Sequence, residues 1–209
     1  MAQKNHINKV KLTRVLSKAL TIKRVRDAAY REASIIFNKS VKTLGKEFDE
    51  HPVTKEIKRG PTATKNISET LGGQANLSSF IGFNVEEGDP TRKVKEVLLT
   101  KSRLLKSNPK IRKFKNGRVD YSFVGKLPDQ DQISQVSLMP WESGRSWVYG
   151  IERGISGLSH YLYRRLGVES RSGQAVQIKG QYLPGAVFTP VPYLRVLYRK
   201  FRERLSQRE

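Results

Sequence analysis

No cysteine occurs in the chain, so neither a disulfide framework nor a thiolate metal site can be built. Histidine is nearly as scarce. His6, His51 and His160 are isolated, and no two stand at a spacing that metal ligands use, so each reads as a surface or packing ring. No apolar stretch reaches the ~18 residues that a membrane-crossing helix needs. Residues 1–11, MAQKNHINKVK, are polar and basic and lack the apolar core of a secretory signal. The product is therefore expected to fold in the cytoplasm. The last shortage is of acid: 19 Asp and Glu face 40 Lys and Arg, a net charge of +21. Such a field attracts nucleic acid, anionic membrane or an acidic protein face. Charge alone does not choose among them.

What is present suggests one folded unit. A chain of 209 residues with 37% hydrophobic side chains is long enough for one core with peripheral parts. No linker forces a division, so residues 1–209 read as a single domain, with residues 1–11 as a polar arm. From Leu12 to Phe48 the pattern turns helical. Ile22, Val25, Ala29, Ala33, Ile36, Val41, Leu44 and Phe48 recur mostly every three or four residues and trace one apolar stripe. Pro52 disfavours helical geometry at His51, so this helix should end near Glu50.

Further along, Asn76 to Phe83 reads as a strand entered from the Gly72-Gly73 turn. Asp89-Pro90 is a helix start. Asn116-Gly117 between two extended segments predicts a hairpin over residues 110–125. Residues 129–136 suggest a short helix, residues 141–147 a loop held by aromatics. Residues 164–175 are small and basic, and read as a flexible loop. A basic helix from Tyr193 to about Leu205 closes the chain. The predicted fold class is α+β: a long N-terminal helix packed on an antiparallel sheet, with a basic C-terminal helix.

The search for chemistry finds little. Glu152 lies in the glycine-flanked segment GIERGISG. It could serve as a general base, but nothing near it supplies a nucleophile or a cofactor cradle. A structural role, paired with Arg145 or Arg153 or accepting backbone N–H groups in a glycine turn, is the better reading. Gly150, Gly154 and Gly157 are not followed by Gly-Lys-Ser/Thr, so they form no phosphate loop. Tyr161, Tyr163, Arg164 and Arg165 could stack on and clamp a nucleic-acid strand, but such an alternation is more often a packed strand with snorkelling arginines. No catalytic residue, metal ligand or cofactor is assigned, and the chain is not expected to be an enzyme.

Three segments carry a family resemblance. Asn76-Leu77-Ser78-Ser79-Phe80-Ile81-Gly82-Phe83 follows a long basic helix. Ser146-Trp147-Val148-Tyr149-Gly150-Ile151-Glu152-Arg153-Gly154 has the pattern aromatic, hydrophobic, Glu, Gly. Phe188-Thr189-Pro190-Val191-Pro192-Tyr193-Leu194 precedes a final helix. In this order they resemble the minor tail and tail-completion proteins that join head to tail in tailed bacteriophages. The chain is longer than the compact members, with an acidic loop, a helix and a hairpin added after the first segment. The resemblance implies a virion protein of the neck or tail, assembled in the host cytoplasm. It implies a ring of copies of itself, often six, that contacts other neck and tail proteins and leaves open a contact with passing DNA. Trp141, Trp147, Tyr149, Glu152, Tyr161, Tyr193, Arg164 and Arg165 are the interface candidates. The alternative reading is a basic DNA- or RNA-associated protein.

Overall fold

Residues 22–50 form one continuous helix for the reason their spacing suggests: side chains at steps of three and four line a single face. Val25, Ala29, Ala33, Phe37, Val41, Leu44 and Phe48 are all buried along it. Phe37 occupies the place expected for Ile36, and the neighbouring Ile35 points to solvent. The structure, a computed structural model, describes residues 8–15, 22–60, 67–71, 77–83, 88–115, 118–140, 142–154, 162–163, 176–177 and 188–206.

In chain order the elements are β1 (Asn8–Val15), α1 (Ile22–Glu50), α2 (Pro52–Lys58), α3 (Leu77–Ile81), α4 (Thr91–Lys101), β2 (Arg103–Lys113) and β3 (Arg118–Lys126). They continue with α5 (Gln130–Val136), β4 (Leu138–Met139), β5 (Glu142–Ser146), α6 (Trp147–Arg153), β6 (Leu162–Tyr163), β7 (Val176–Gln177) and α7 (Leu194–Ser206). The class is α+β, with the long helix, the antiparallel sheet and the C-terminal helix all present. The chain divides into two compact units. Residues 1–46, 98–129 and 197–209 make the first, and residues 47–97 and 130–196 the second.

The first unit is a helix-on-sheet sandwich. Its sheet has the strand order β1-β3-β2, antiparallel throughout. The predicted hairpin is β2 and β3, paired from Lys113↔Val119 to Arg103↔Lys126. Tyr121 and Phe123 alternate inward as a half-buried strand requires. The pairing slips between Leu105 and Lys110, where Asn108-Pro109 falls. Proline cannot donate to a ladder, which suits it to a bulge on an edge strand. Tyr30 sets its ring edge on Phe123 at 5.4 Å and donates its hydroxyl to the Leu104 carbonyl at 3.2 Å. Phe37 meets Phe201 edge to face at 5.6 Å.

Several expectations need correction. Residues 8–11 are not an arm but part of β1, and the helix begins at Ile22 rather than Leu12. Val10 and Leu12 alternate with Lys9 and Lys11, a period-two pattern that the basic composition hides. Its backbone completes the ladder on the open edge of β3.

Leu77–Ile81 is a short helix, not a strand. Leu77, Phe80 and Ile81 are buried at helical spacing, and Gly82, at φ 79°, ends the turn with its N–H on the Ser78 carbonyl. Residues 142–146 form β5 rather than a loop, and Trp147 begins α6 with Ser146 as its N-cap. Residues 164–175 lie outside the described residues.

Two boundaries are as expected. α1 ends at Glu50, and His51, extended at φ −61° and ψ 136°, caps α2 by accepting the Val53 N–H on its ring nitrogen at 3.3 Å. Asp89 opens α4 by accepting the Thr91 N–H at 2.8 Å. Trp147 is 1% exposed and packs edge-on against Phe83 at 5.5 Å. Trp147→Ala is expected to cost about 3–5 kcal/mol, the range for a buried large aromatic. Urea unfolding checks this, and a loss under about 1 kcal/mol would contradict the packing described.

Candidate functional site

Burying a carboxylate is costly unless donors surround it. The second unit does this with Glu56, which is not among the residues predicted from sequence. Glu56 is fully buried on α2. One oxygen accepts the N–H groups of Ile67 at 3.0 Å and Ser68 at 2.7 Å; the other accepts that of Leu77 at 2.6 Å. Three backbone donors from two separate segments thus converge on one side chain. The only sequence signal was the i, i+3, i+4 set Val53, Glu56, Ile57, which places a carboxylate on an apolar face.

Glu152 works in the same manner. Its Oε1 accepts the N–H groups of Tyr193 at 3.0 Å and Arg195 at 2.7 Å, so it caps the start of α7. The backbone partners of Glu152 come from the entry to α7, not from its own glycine turn. Arg153 donates to Gln130 and lies over the Tyr149 ring at 5.2 Å.

The three segments that carry the family resemblance meet around this cap. Phe80 of the first stacks on Phe188 of the third at 5.5 Å. Phe83 of the first meets Trp147 of the second. The Val191 N–H of the third bonds the Ile151 carbonyl of the second at 3.1 Å. Tyr193 is 0% exposed, lies 5.6 Å from the Phe48 ring and 4.7 Å from that of His51, and shares a 2.6 Å hydrogen bond with the Thr54 hydroxyl. Burial pushes its phenol far above the ordinary range, although the Thr54 bond pulls the other way. A phenol so placed stays neutral and packs; it does not exchange protons.

Of the interface candidates, Trp147 and Tyr193 are therefore core side chains of one chain and are not presented to a partner. Tyr149 is half-buried. Trp141, Tyr161, Arg164 and Arg165 lie outside the described residues.

Beside this core Asp49 bonds Lys58 at 2.7 Å and pairs with Lys95. Burial works to raise the Asp49 carboxyl, but the two ammonium groups outweigh it and hold it below the usual carboxylate range. An open cleft of about 620 Å³ lies nearby, lined by Phe83, Asp89, Lys93, Gln135 and Leu138 among others. Its one carboxylate, Asp89, is engaged in capping α4. Among the described residues no group of three or more His, Asp or Glu could hold a metal ion, and no helix is long and apolar enough to cross a membrane. The arrangement is one of packing and backbone capture.

No family model matches the chain, and no curated protein or solved structure matches it either.

Glu56→Gln removes the charge from a three-donor site and turns an amide N–H₂ toward N–H groups. The expected loss of stability is about 2–4 kcal/mol by chemical denaturation, since bonds to charged groups are the strong ones. A neutral substitution would contradict the role given to Glu56. For Asp49 the sign follows from its depressed folded value: its contribution is present above the unfolded carboxylate value of ~3.9 and is lost as pH falls through the folded one. The stability gap between the native chain and Asp49→Asn should therefore close in acid. A gap unchanged in thermal melts from neutral to strongly acid pH would refute this.

Proposed function

We propose that the chain is a non-catalytic structural subunit of the neck or tail of a tailed bacteriophage, working as a ring of identical copies that joins head connector to tail. One observation carries this reading: the three separated segments that resemble the head–tail joining proteins pack into one core around Glu152 and Tyr193. Residues that recur together in a family for structural reasons should meet in space. A catalytic motif would instead converge on an open, polar cleft. Here Trp147 meets Phe83 and Tyr193, Phe80 meets Phe188, and Glu152 meets backbone N–H groups.

The departure at the first segment, helix in place of strand, alters its local form but not its place in this core. Leu77, Phe80 and Ile81 stay inside. The surface role of the subunit then falls to side chains other than Trp147 and Tyr193. Exposed apolar residues exist for it: Leu138 in the second unit, Ile35, Leu99, Ile111 and Phe114 in the first.

Native mass spectrometry of the purified chain tests the proposal. A closed ring, expected near six copies, supports it. A monomer at every concentration, alone and with candidate neck proteins, would overturn it, as would turnover of a substrate abolished by Glu152→Gln.

A further inference from the structure

We propose that the β2 edge of the first unit is a binding surface for the phosphate backbone of duplex DNA. The inference is independent of ring formation and rests on charge, exposure and strand geometry alone.

From Arg103 to Lys126 the hairpin carries eight Lys and Arg and one acid, Asp120. That acid is buried and lies 3.2 Å from the Arg118 guanidinium. Lys110, Arg112, Lys113 and Lys115 are all exposed, next to the outer edge of the sheet. Lys106 is engaged elsewhere, with Asp27 at 3.3 Å and over the Tyr30 ring.

In a strand the rise is ~3.3 Å per residue, so Lys110 and Arg112 recur at roughly 7 Å on one face of β2, while Lys113 ends the strand and Lys115 follows it in the turn. Each DNA strand carries a phosphate for every ~3.4 Å of helix axis, so closely placed cations each find a phosphate within reach. The outer edge of β2 pairs with no strand among the described residues, which leaves backbone N–H groups as further donors to phosphate oxygens.

Two apolar residues sit within the patch. Ile111 is 47% and Phe114 37% exposed. The Phe114 ring is flanked by the guanidinium groups of Arg112 at 5.6 Å and Arg118 at 5.3 Å. Stacking on a ring holds a guanidinium extended and less hydrated, which favours contact with phosphate. An acidic protein face would need cations placed to match scattered carboxylates. A cluster of exposed cations whose single acid is buried is better matched to a polymer of dense, evenly spaced charge. The contacts reach no base edges, so binding should be blind to sequence.

The test uses the full chain and a labelled DNA duplex. Affinity is measured by anisotropy across a salt series. Two variants are compared: Lys110→Ala/Arg112→Ala/Lys113→Ala/Lys115→Ala, and the equally charged control Arg31→Ala/Lys39→Ala/Lys42→Ala/Lys46→Ala on exposed α1 positions. Thermal melts establish that both fold. The ribbon variant should lose roughly tenfold or more in affinity at moderate salt, and its slope of log K against log salt should fall by about 3. The control should change far less. Equal losses in both variants would reduce the effect to net charge and overturn the proposal. So would absence of binding at low salt, or an acidic polypeptide that outcompetes DNA. Native mass of the same samples keeps this outcome separate from that of the ring.

Discussion

Forty cations share 19 carboxylates in this chain, and several of those carboxylates face inward. Glu56 gathers three backbone N–H groups in the second unit, Glu152 gathers two, and Asp120 sits buried beside Arg118 in the first. A buried carboxylate left without donors would cost several kcal/mol, so each must be placed with its partners or not at all. Used this way, scarce acid becomes a fastening for loops that have little apolar surface of their own. The surface is left more basic than the composition suggests. Both halves of the account follow from that one constraint: a core organised around captured backbone, and an exterior that lacks negative charge.

The aromatic side chains complete the first half. Phe48, Tyr193, Trp147 and Phe83 make a linked series of ring contacts in the second unit, and Phe80 and Phe188 a separate stacked pair. Offset and edge-on geometries of this kind add to simple burial. They tie α6, the entry to α7 and α3 into one core. The segments concerned are far apart in sequence.

Much of this was legible from residue spacing, and the failures are physical. The α1 stripe, the Pro52 boundary, the Asp89 cap and the Asn116-Gly117 hairpin could be read because each is a local signal. Leu77–Ile81 was misread because the five residues form a single turn, too short for period to separate helix from strand. β1 was missed because strand alternation in Val10 and Leu12 is masked by flanking lysines, and because its partner, β3, is over 100 residues away. Trp147 and Tyr193 were candidates for an interface on residue type alone, yet burial depends on tertiary neighbours such as Phe83 and Thr54. Glu56 gave no signal beyond its spacing with Val53 and Ile57, since its donors come from residues 67, 68 and 77 and a buried acid looks like a surface one in sequence.

The central claim is that the chain is a structural component of a virus particle. Quantitative peptide mass spectrometry of purified particles from a bacteriophage that encodes it tests this most directly. The account predicts a small, fixed number of copies per particle, retained through salt washing and density purification. Absence from particles, with the chain confined to the infected-cell lysate, would contradict it.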